Sequence, residues 1–318
     1  MWIRWILAFT IFLVRSVPLK ELASFPKGPL SSTDTFELND GLKMPIIGVG
    51  TFRIPPGNDT YSSVLAALKI GYRMVDTAEY YQNEADVGKA IRDSGIPRSE
   101  VFVTTKISSN HHNRYDEAIK AGMESNAKLG LDYIDLLLIH SPRPGRIVEC
   151  YDAILHLRDQ GIVRSVGVSN FGTPHLEALK NYCRPTPAVN QFELSPLTYR
   201  ERNDLVEYCG NASILVQPYG SLLKGRKDLL SLSRRIAAAH NKTEAQVMLR
   251  WALDKSFQVI PKSTHVSYLA ENFHVFDFTL SQEETGELDT LPQTQLYGND
   301  PSTIPVDAGM VSGCQLFM

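Results

Sequence analysis

Eight short apolar runs alternate with amphipathic stretches between residues 45 and 276, and this alternation limits the fold more than any other feature. The runs lie at 45–51, 73–78, 101–107, 134–140, 163–170, 188–194, 213–220 and 257–263. Their Val, Ile and Leu residues scarcely alternate with polar ones, which is the pattern of parallel strands buried on both faces. The stretches at 60–71, 83–95, 114–130, 148–161, 173–182, 201–210, 242–253 and 266–276 read as helices. Asp59 offers the first helix an N-cap and Gly71 a stop, while a threonine with acidic neighbours opens the helix at 242–253. Ahead of the first unit, Asn39-Asp40-Gly41 lies between extended arms and predicts a hairpin over 35–45. An open doubly wound sheet has fewer strands and needs a glycine fingerprint; Gly48 and Gly50 supply two of its glycines and the third is missing. Eight strict units therefore predict an α/β chain closed into a (β/α)8 TIM barrel, a single domain over 31–291.

The flanks need separate treatment. Residues 1–30 hold an uncharged apolar run from Trp5 to Val14 between Arg4 and Arg15. That run is too short to span a bilayer and has the length of a signal-peptide core. No clean small-x-small cleavage site follows it. The segment reads as a signal peptide or short membrane-associated leader, or as an unusual N-terminus on a cytosolic protein. The cytoplasm is the expected location, and a working leader would change this to the secretory pathway or a membrane surface. Asn58, Asn211 and Asn241 head N-x-S/T sequons, which matter only after export. Cys150, Cys183, Cys209 and Cys314 form no C-x-x-C pair; their wide spacing reads as free thiols, mostly buried, with three pairings possible if the leader exports the chain. With 32 basic and 35 acidic residues, and no block of like charge, nothing suggests a nucleic-acid partner. Residues 292–318 form a C-terminal tail without an obvious aromatic substrate clamp.

In a barrel of this kind the active site forms where the strands end. In strand order, those ends carry Thr51-Phe52, Asp76 with Tyr80-Tyr81 after it, Lys106, His140, Ser169-Asn170, Gln191, Tyr219 and Lys262-Ser263. A single lysine at a strand end usually reaches out to solvent, and a single histidine there is usually structural. An Asp, a Tyr, a Lys and a His converging on one rim are a different matter. A buried lysine needs a counter-charge, and Asp76 on a neighbouring strand can supply it. A cation beside a phenol favours phenolate, so the tyrosine pKa is expected to fall. Spacing does not tell whether Tyr80 or Tyr81 faces that pair. A barrel hydrolase would need metal ligands or paired carboxylates, and this rim offers neither, so no metal is expected.

These residues carry a resemblance. The segment "DTAEYYQNEADVG", followed in order by "VTTKI", "LDYIDLLLIHSP", "VRSVGVSNF", "AVNQFEL" and "VIPKS", resembles the aldo-keto reductases over nearly the whole barrel. The resemblance implies a monomeric, NADPH-dependent reductase of small aldehydes or ketones. It puts the family's catalytic set on Asp76, Tyr81, Lys106 and His140, with Tyr81 as the proton donor. It implies a substrate pocket at Phe52, His140 and Ser141. For the cofactor it implies Thr51 and Asp76 near the nicotinamide ribose, Ser169, Asn170 and Gln191 at the carboxamide, and Tyr219 under the ring. Ser221 and Leu222 then follow the pyrophosphate, Lys262, Ser263 and Thr264 meet the 2′-phosphate, and Glu271 and Asn272 meet the adenine. Three departures stand out: Ser141 where many relatives have tryptophan, a short loop after it, and Tyr268 where an arginine is usual. The first two imply a more open pocket, and the third leaves room for NADH. The alternative is a non-catalytic nicotinamide-binding barrel subunit of a larger assembly.

Overall fold

The computed structural model describes residues 28–111, 114–223, 231–298, 300–309 and 314. Most of the leader lies outside them. The hairpin forms as the turn residues predict: β1 (Thr35–Glu37) pairs antiparallel with β2 (Lys43–Pro45), and Gly41 takes φ 86 between them. Seven strands then build one parallel sheet in chain order. They are β3 (Val49–Gly50), β4 (Met74–Asp76), β5 (Phe102–Ile107), β6 (Ile134–Ile139), β7 (Val163–Ser169), β8 (Val189–Glu193) and β9 (Leu215–Tyr219). The eighth apolar run closes the barrel with a sparser ladder than expected. Gln258 N donates to Val216 O at 3.2 Å on one side, and Gly48 N donates to Val259 O at 2.8 Å on the other. Ile47 and Val259 form a single parallel bridge there. Pro218 and Pro261 lack the N–H groups that a longer ladder would use.

The helices cover the outside: α1 (Asn58–Ile70), α2 (Glu84–Asp93), α3 (Tyr115–Leu129), α4 (Ile147–Asp159), α5 (Thr173–Asn181), α6 (Asn203–Asn211), α7 (Ser231–His240), α8 (Glu244–Asp254), α9 (Val266–Phe273) and α10 (Gln282–Asp289). Two corrections concern their starts. The first helix begins at Asn58 with Gly57 at its N-cap, so Asp59 lies inside its first turn. A short 3-10 turn, Arg200–Arg202, occupies the start of the expected sixth helix. Helices α7 and α10 are additional to the eight expected strand–helix units. Thr243 does cap α8: it accepts from Gln246 N, and the Gln246 side chain accepts from Thr243 N.

Alternation within each strand sorts its side chains. In β5, Val103 and Ile107 join the large core under the helices, while Phe102 packs inside the barrel with Met74, Leu136, Leu138 and Val189. Leu38 and Met44 of the hairpin join that inner cluster. The hairpin thus fills the N-terminal end of the barrel, and the polar strand ends stand at the other.

The thiol expectation needs correcting for half of the cysteines. Cys183, just after α5, is disulfide-bonded to Cys314 in the tail. Cys150 and Cys209 are free and buried, and burial pushes the Cys209 thiol up to about 12.

Candidate active site

Parity explains which polar residues meet. Asp76 is in register with Thr104, and Lys106 stands two residues further along β5, so both side chains point into the barrel mouth. Lys106 is fully buried. Its ammonium donates to Asp76 Oδ1 at 2.7 Å, to Thr77 O at 2.8 Å and to Tyr81 Oη at 3.3 Å, so all three donors are used. The short turn Glu79–Tyr81 settles the tyrosine question geometrically. It aims Tyr81 at Lys106 and leaves Tyr80 64% exposed on the rim. The Tyr81 ring lies 5.7 Å from the His140 imidazole, nearly edge-on, and 5.0 Å from Phe52.

The electrostatics reverse one expectation. Burial raises the Tyr81 pKa well above its ordinary value, and the charge of Asp76 raises it further. Burial lowers the pKa of Lys106, and Asp76 opposes that shift. Paired with its carboxylate, the Lys106 cation does not outweigh burial in the resting phenol. Tyr81 is thus held as a neutral phenol.

Asp76 also anchors a chain of buried amides. Gln258 Nε2 donates to Pro45 O and Val259 O, each at 3.1 Å, so Gln258 Oε1 can only accept. It accepts from Gln217 Nε2 at 2.6 Å, and Gln217 Oε1 accepts in turn from Gln191 Nε2 at 2.5 Å. Gln191 Nε2 spends its other hydrogen on Asp76 Oδ2 at 2.8 Å. Donor direction is thus passed across the barrel and leaves Gln191 Oε1 as the acceptor available to the cleft. Beside it, Asn170 Nδ2 donates to His140 O at 2.9 Å, and Tyr219 Oη donates to Asn170 Oδ1 at 2.7 Å. Ser169 Oγ donates to Gln191 O at 2.8 Å.

These groups share one long cleft of about 910 Å³. Phe52, Asp76, Tyr81, His140, Ser141, Ser169, Asn170, Gln191 and Tyr219 line its deep part; Ser221, Leu222, Lys262, Ser263, Glu271 and Asn272 line the far arm. Three expected residues do not line it. Lys106 sits behind Tyr81 and Asp76. Thr51 is buried, and its hydroxyl donates to Asp76 O at 3.0 Å, so it supports the aspartate from behind. Thr264 is exposed beyond the end of the arm.

The cleft also contains residues that the sequence reading missed. Thr243, Glu244 and Met248 add to the far arm, and Arg53 and Tyr297 add to the mouth. Against the expectation of a tail without an obvious aromatic clamp, Tyr297 of the tail lines the cleft. Glu193, at the end of β8, accepts from the backbone N–H groups of Leu296 and Tyr297 and pins that stretch over the mouth. The Tyr297 ring packs edge-on to Tyr219 at 5.5 Å. It comes so close to Gly220 that a Cβ there would lie 2.8 Å from it, and Gly220 also holds φ 75. The only sequence hint was an aromatic residue just before Gly298, which is weak. The mouth is therefore less open than Ser141 and the short loop suggested.

The deep part can take a planar group that needs both donors and acceptors, and the far arm carries an ammonium at Lys262 with no ion pair among the described residues. That donor set fits a dinucleotide with an anionic adenosine end. Among the described residues, no group of His, Cys, Asp or Glu could hold a metal ion, and no helix is long and apolar enough to cross a membrane.

Several known proteins are similar to this chain. The glyoxal reductase of Bacillus subtilis is 39% identical over 277 residues, covering 87% of this chain and 99% of that protein. Methylglyoxal reductase DkgA of Escherichia coli is 37% identical, covering 86% of this chain and 98% of its own. Among solved structures, an aldo/keto reductase from Brucella melitensis matches with a TM-score of 0.75 and 39% identity, covering 80% of this chain and 98% of its own. A Bombyx mori aldo-keto reductase in complex with NADP matches with a TM-score of 0.75 and 32% identity, covering 82% of this chain and 93% of its own. The sequence profile of the Aldo/keto reductase family matches residues 46–292. The chain is an oxidoreductase that belongs to the aldo/keto reductase family.

Proposed function

We propose that the protein reduces small aldehydes or ketones to alcohols with NADPH, and that Tyr81 is the general acid. Bound NADPH supplies the hydride that the carbonyl carbon receives. The protein orients the substrate and delivers the proton. Tyr81 Oη gives its hydrogen to the carbonyl oxygen as negative charge grows there, and the product is the alcohol. His140, edge-on to Tyr81, orients that oxygen. Lys106 stabilises the phenolate left behind, and Asp76 keeps Lys106 charged inside the barrel. Solvent then reprotonates Tyr81. Gln191 Oε1 accepts from the carboxamide, with Ser169 and Asn170 beside it and Tyr219 under the ring. Ser221 and Leu222 run along the pyrophosphate, and Glu271 and Asn272 sit at the adenine. The 2-oxoaldehydes named for the bacterial relatives are the first substrates to try.

The observation that carries this reading is the chain from Asp76 through Lys106 to Tyr81 at the floor of the cleft. A non-catalytic nicotinamide-binding subunit would have no use for a buried lysine held between a carboxylate and a phenol. Lys262 provides one charged hydrogen bond to a 2′-phosphate, worth about 1.5–3 kcal/mol. Tyr268 beside it can stack but brings no charge, so NADPH is favoured over NADH by less than an arginine there would give.

Two variants and one titration test the assignment. Tyr81→Phe should lose at least about a hundredfold in kcat while its NADPH affinity, read by fluorescence, stays near wild type. Tyr80→Phe should remain active. A dead Tyr80→Phe beside an active Tyr81→Phe would move the acid to the other tyrosine. In the same titration, equal binding of NADH and NADPH by the wild type would remove Lys262 from the phosphate.

A further inference from the structure

We propose that Glu79 is a positioning residue for the general acid: it ties the turn that carries Tyr81 to the loop after β5, and so sets where the Tyr81 hydroxyl stands in the cleft. The inference deepens the reading of Tyr81 as the acid and rests on it.

The turn Glu79–Tyr81 hangs between two firmly held points. Before it, Thr77 N donates to Thr104 O at 2.9 Å, and Thr77 O accepts from Lys106 Nζ at 2.8 Å. After it, Asn83 is fully buried; its Oδ1 accepts from Thr77 Oγ1 at 2.7 Å, and its Nδ2 donates to Thr51 O at 3.2 Å. Between these points the backbone bonds are internal to the turn. Tyr81 N donates to Ala78 O at 3.0 Å, and Gln82 N donates to Glu79 O at 3.1 Å. Such bonds keep the shape of a turn and leave its tilt free. Hydrogen-bond geometry in a 3-10 turn is poor, and Gln82 leaves this one at φ 58, a conformation that favours glycine. Tyr81 Oη meets Lys106 at 3.3 Å, which is long for a bond between nitrogen and oxygen, so the phenol does not anchor itself strongly.

Glu79 supplies the missing anchor. Its side chain is 10% exposed and does not line the cleft. Glu79 Oε2 accepts from Ser108 N at 2.9 Å, and Oε1 accepts from His111 Nδ1. A carboxylate oxygen accepts, so Nδ1 of His111 carries the hydrogen here. Residues 108–111 form a turn of their own, closed by His111 N donating to Ser108 O at 3.0 Å. Two anchors on one planar carboxylate fix its plane as well as its place. Ser108 and Ser109 of the same loop line the cleft, so the tie joins a loop that faces the substrate to the turn that carries the proton. Proton delivery depends steeply on placement: a displacement of about 1 Å costs on the order of a hundredfold.

The test measures single-turnover NADPH oxidation by the full-length protein at saturating methylglyoxal. Rates are expressed per NADPH-binding site, counted by fluorescence titration, so unfolded protein drops out. Glu79→Ala should slow the step about tenfold, with NADPH affinity within about twofold of wild type. Glu79→Gln should recover most of the rate. Its Oε1 still accepts from Ser108 N, and its Nε2 donates to His111 Nδ1 once that ring takes the other tautomer. Glu79→Asp keeps the charge and loses one methylene of reach, so it should stay near Glu79→Ala. A wild-type rate in Glu79→Ala overturns the proposal, as does Glu79→Gln no faster than Glu79→Ala. So does recovery in Glu79→Asp alone, which would assign the effect to charge, or a loss of NADPH affinity that matches the loss of rate. All of these leave the reductase reading standing, because the wild type still turns over. A wild type that reduces nothing, or a fully active Tyr81→Phe, removes the acid and the positioning role with it.

Discussion

The adjacent Tyr80 and Tyr81 show how far single residues can be read. Spacing left the two equivalent, and only the family pattern favoured Tyr81. The structure separates them by a short 3-10 turn that turns one ring inward to Lys106 and leaves the other on the rim. The expected fall of the Tyr81 pKa is reversed, because burial and the carboxylate beside Lys106 outweigh the lysine's charge. The sign has a kinetic consequence. With Tyr81 as the proposed acid, reduction uses the protonated phenol, and a raised pKa keeps Tyr81 protonated through neutral pH and well into the alkaline range. We predict that kcat/KM for reduction stays flat from about pH 6 to at least about pH 10, the ordinary tyrosine value, while alcohol oxidation, which needs phenolate, rises with pH. A reduction rate that already falls between about pH 6 and 8 would show that another group controls it.

At the scale of elements, the strands were legible and the helix ends less so. Seven buried runs became the expected strands, because a parallel strand covered on both faces must be apolar throughout. The eighth run took its place in the barrel with a broken ladder, for which Pro261 was the available clue. Helix α10 has little helical periodicity, and α7, although amphipathic, is additional to the eight strand–helix units. The glutamines show what pattern reading cannot reach. Gln191, Gln217 and Gln258 look unremarkable on three separate strands, yet together they fix which atom of Gln191 faces the cleft. Gln217→Met should therefore leave two buried amides short of a partner, lowering stability by about 1–3 kcal/mol in urea unfolding. It should also weaken NADPH binding severalfold by freeing Gln191 to flip. Unchanged NADPH affinity in a folded Gln217→Met protein would show that the chain of amides does not orient Gln191.

At the scale of the whole molecule, the closed barrel and its polar rim were readable from the chain, whereas the tail was not. Described residues of the tail are held by contacts remote in sequence, such as Glu193 with Tyr297 and Arg202 with Asp300. Further along the tail, Cys314 is bonded to Cys183, 131 residues away in sequence. Cysteine spacing alone could not reveal that pairing. With Cys150 and Cys209 buried, a thiol reagent should find no reactive cysteine in the native protein, two after denaturation and four after reduction as well. Four after denaturation alone would mean that the disulfide is not formed. The residues of the rim, the tail over it and the long cleft all bear on one claim, that this chain turns over carbonyl compounds with a nicotinamide cofactor. The most direct test is to give purified full-length protein NADPH and a panel of aldehydes and ketones that includes methylglyoxal, and to follow NADPH absorbance. The account predicts steady loss of NADPH, matched one for one by the alcohol formed. Saturable NADPH binding with no turnover of any carbonyl in the panel would contradict it.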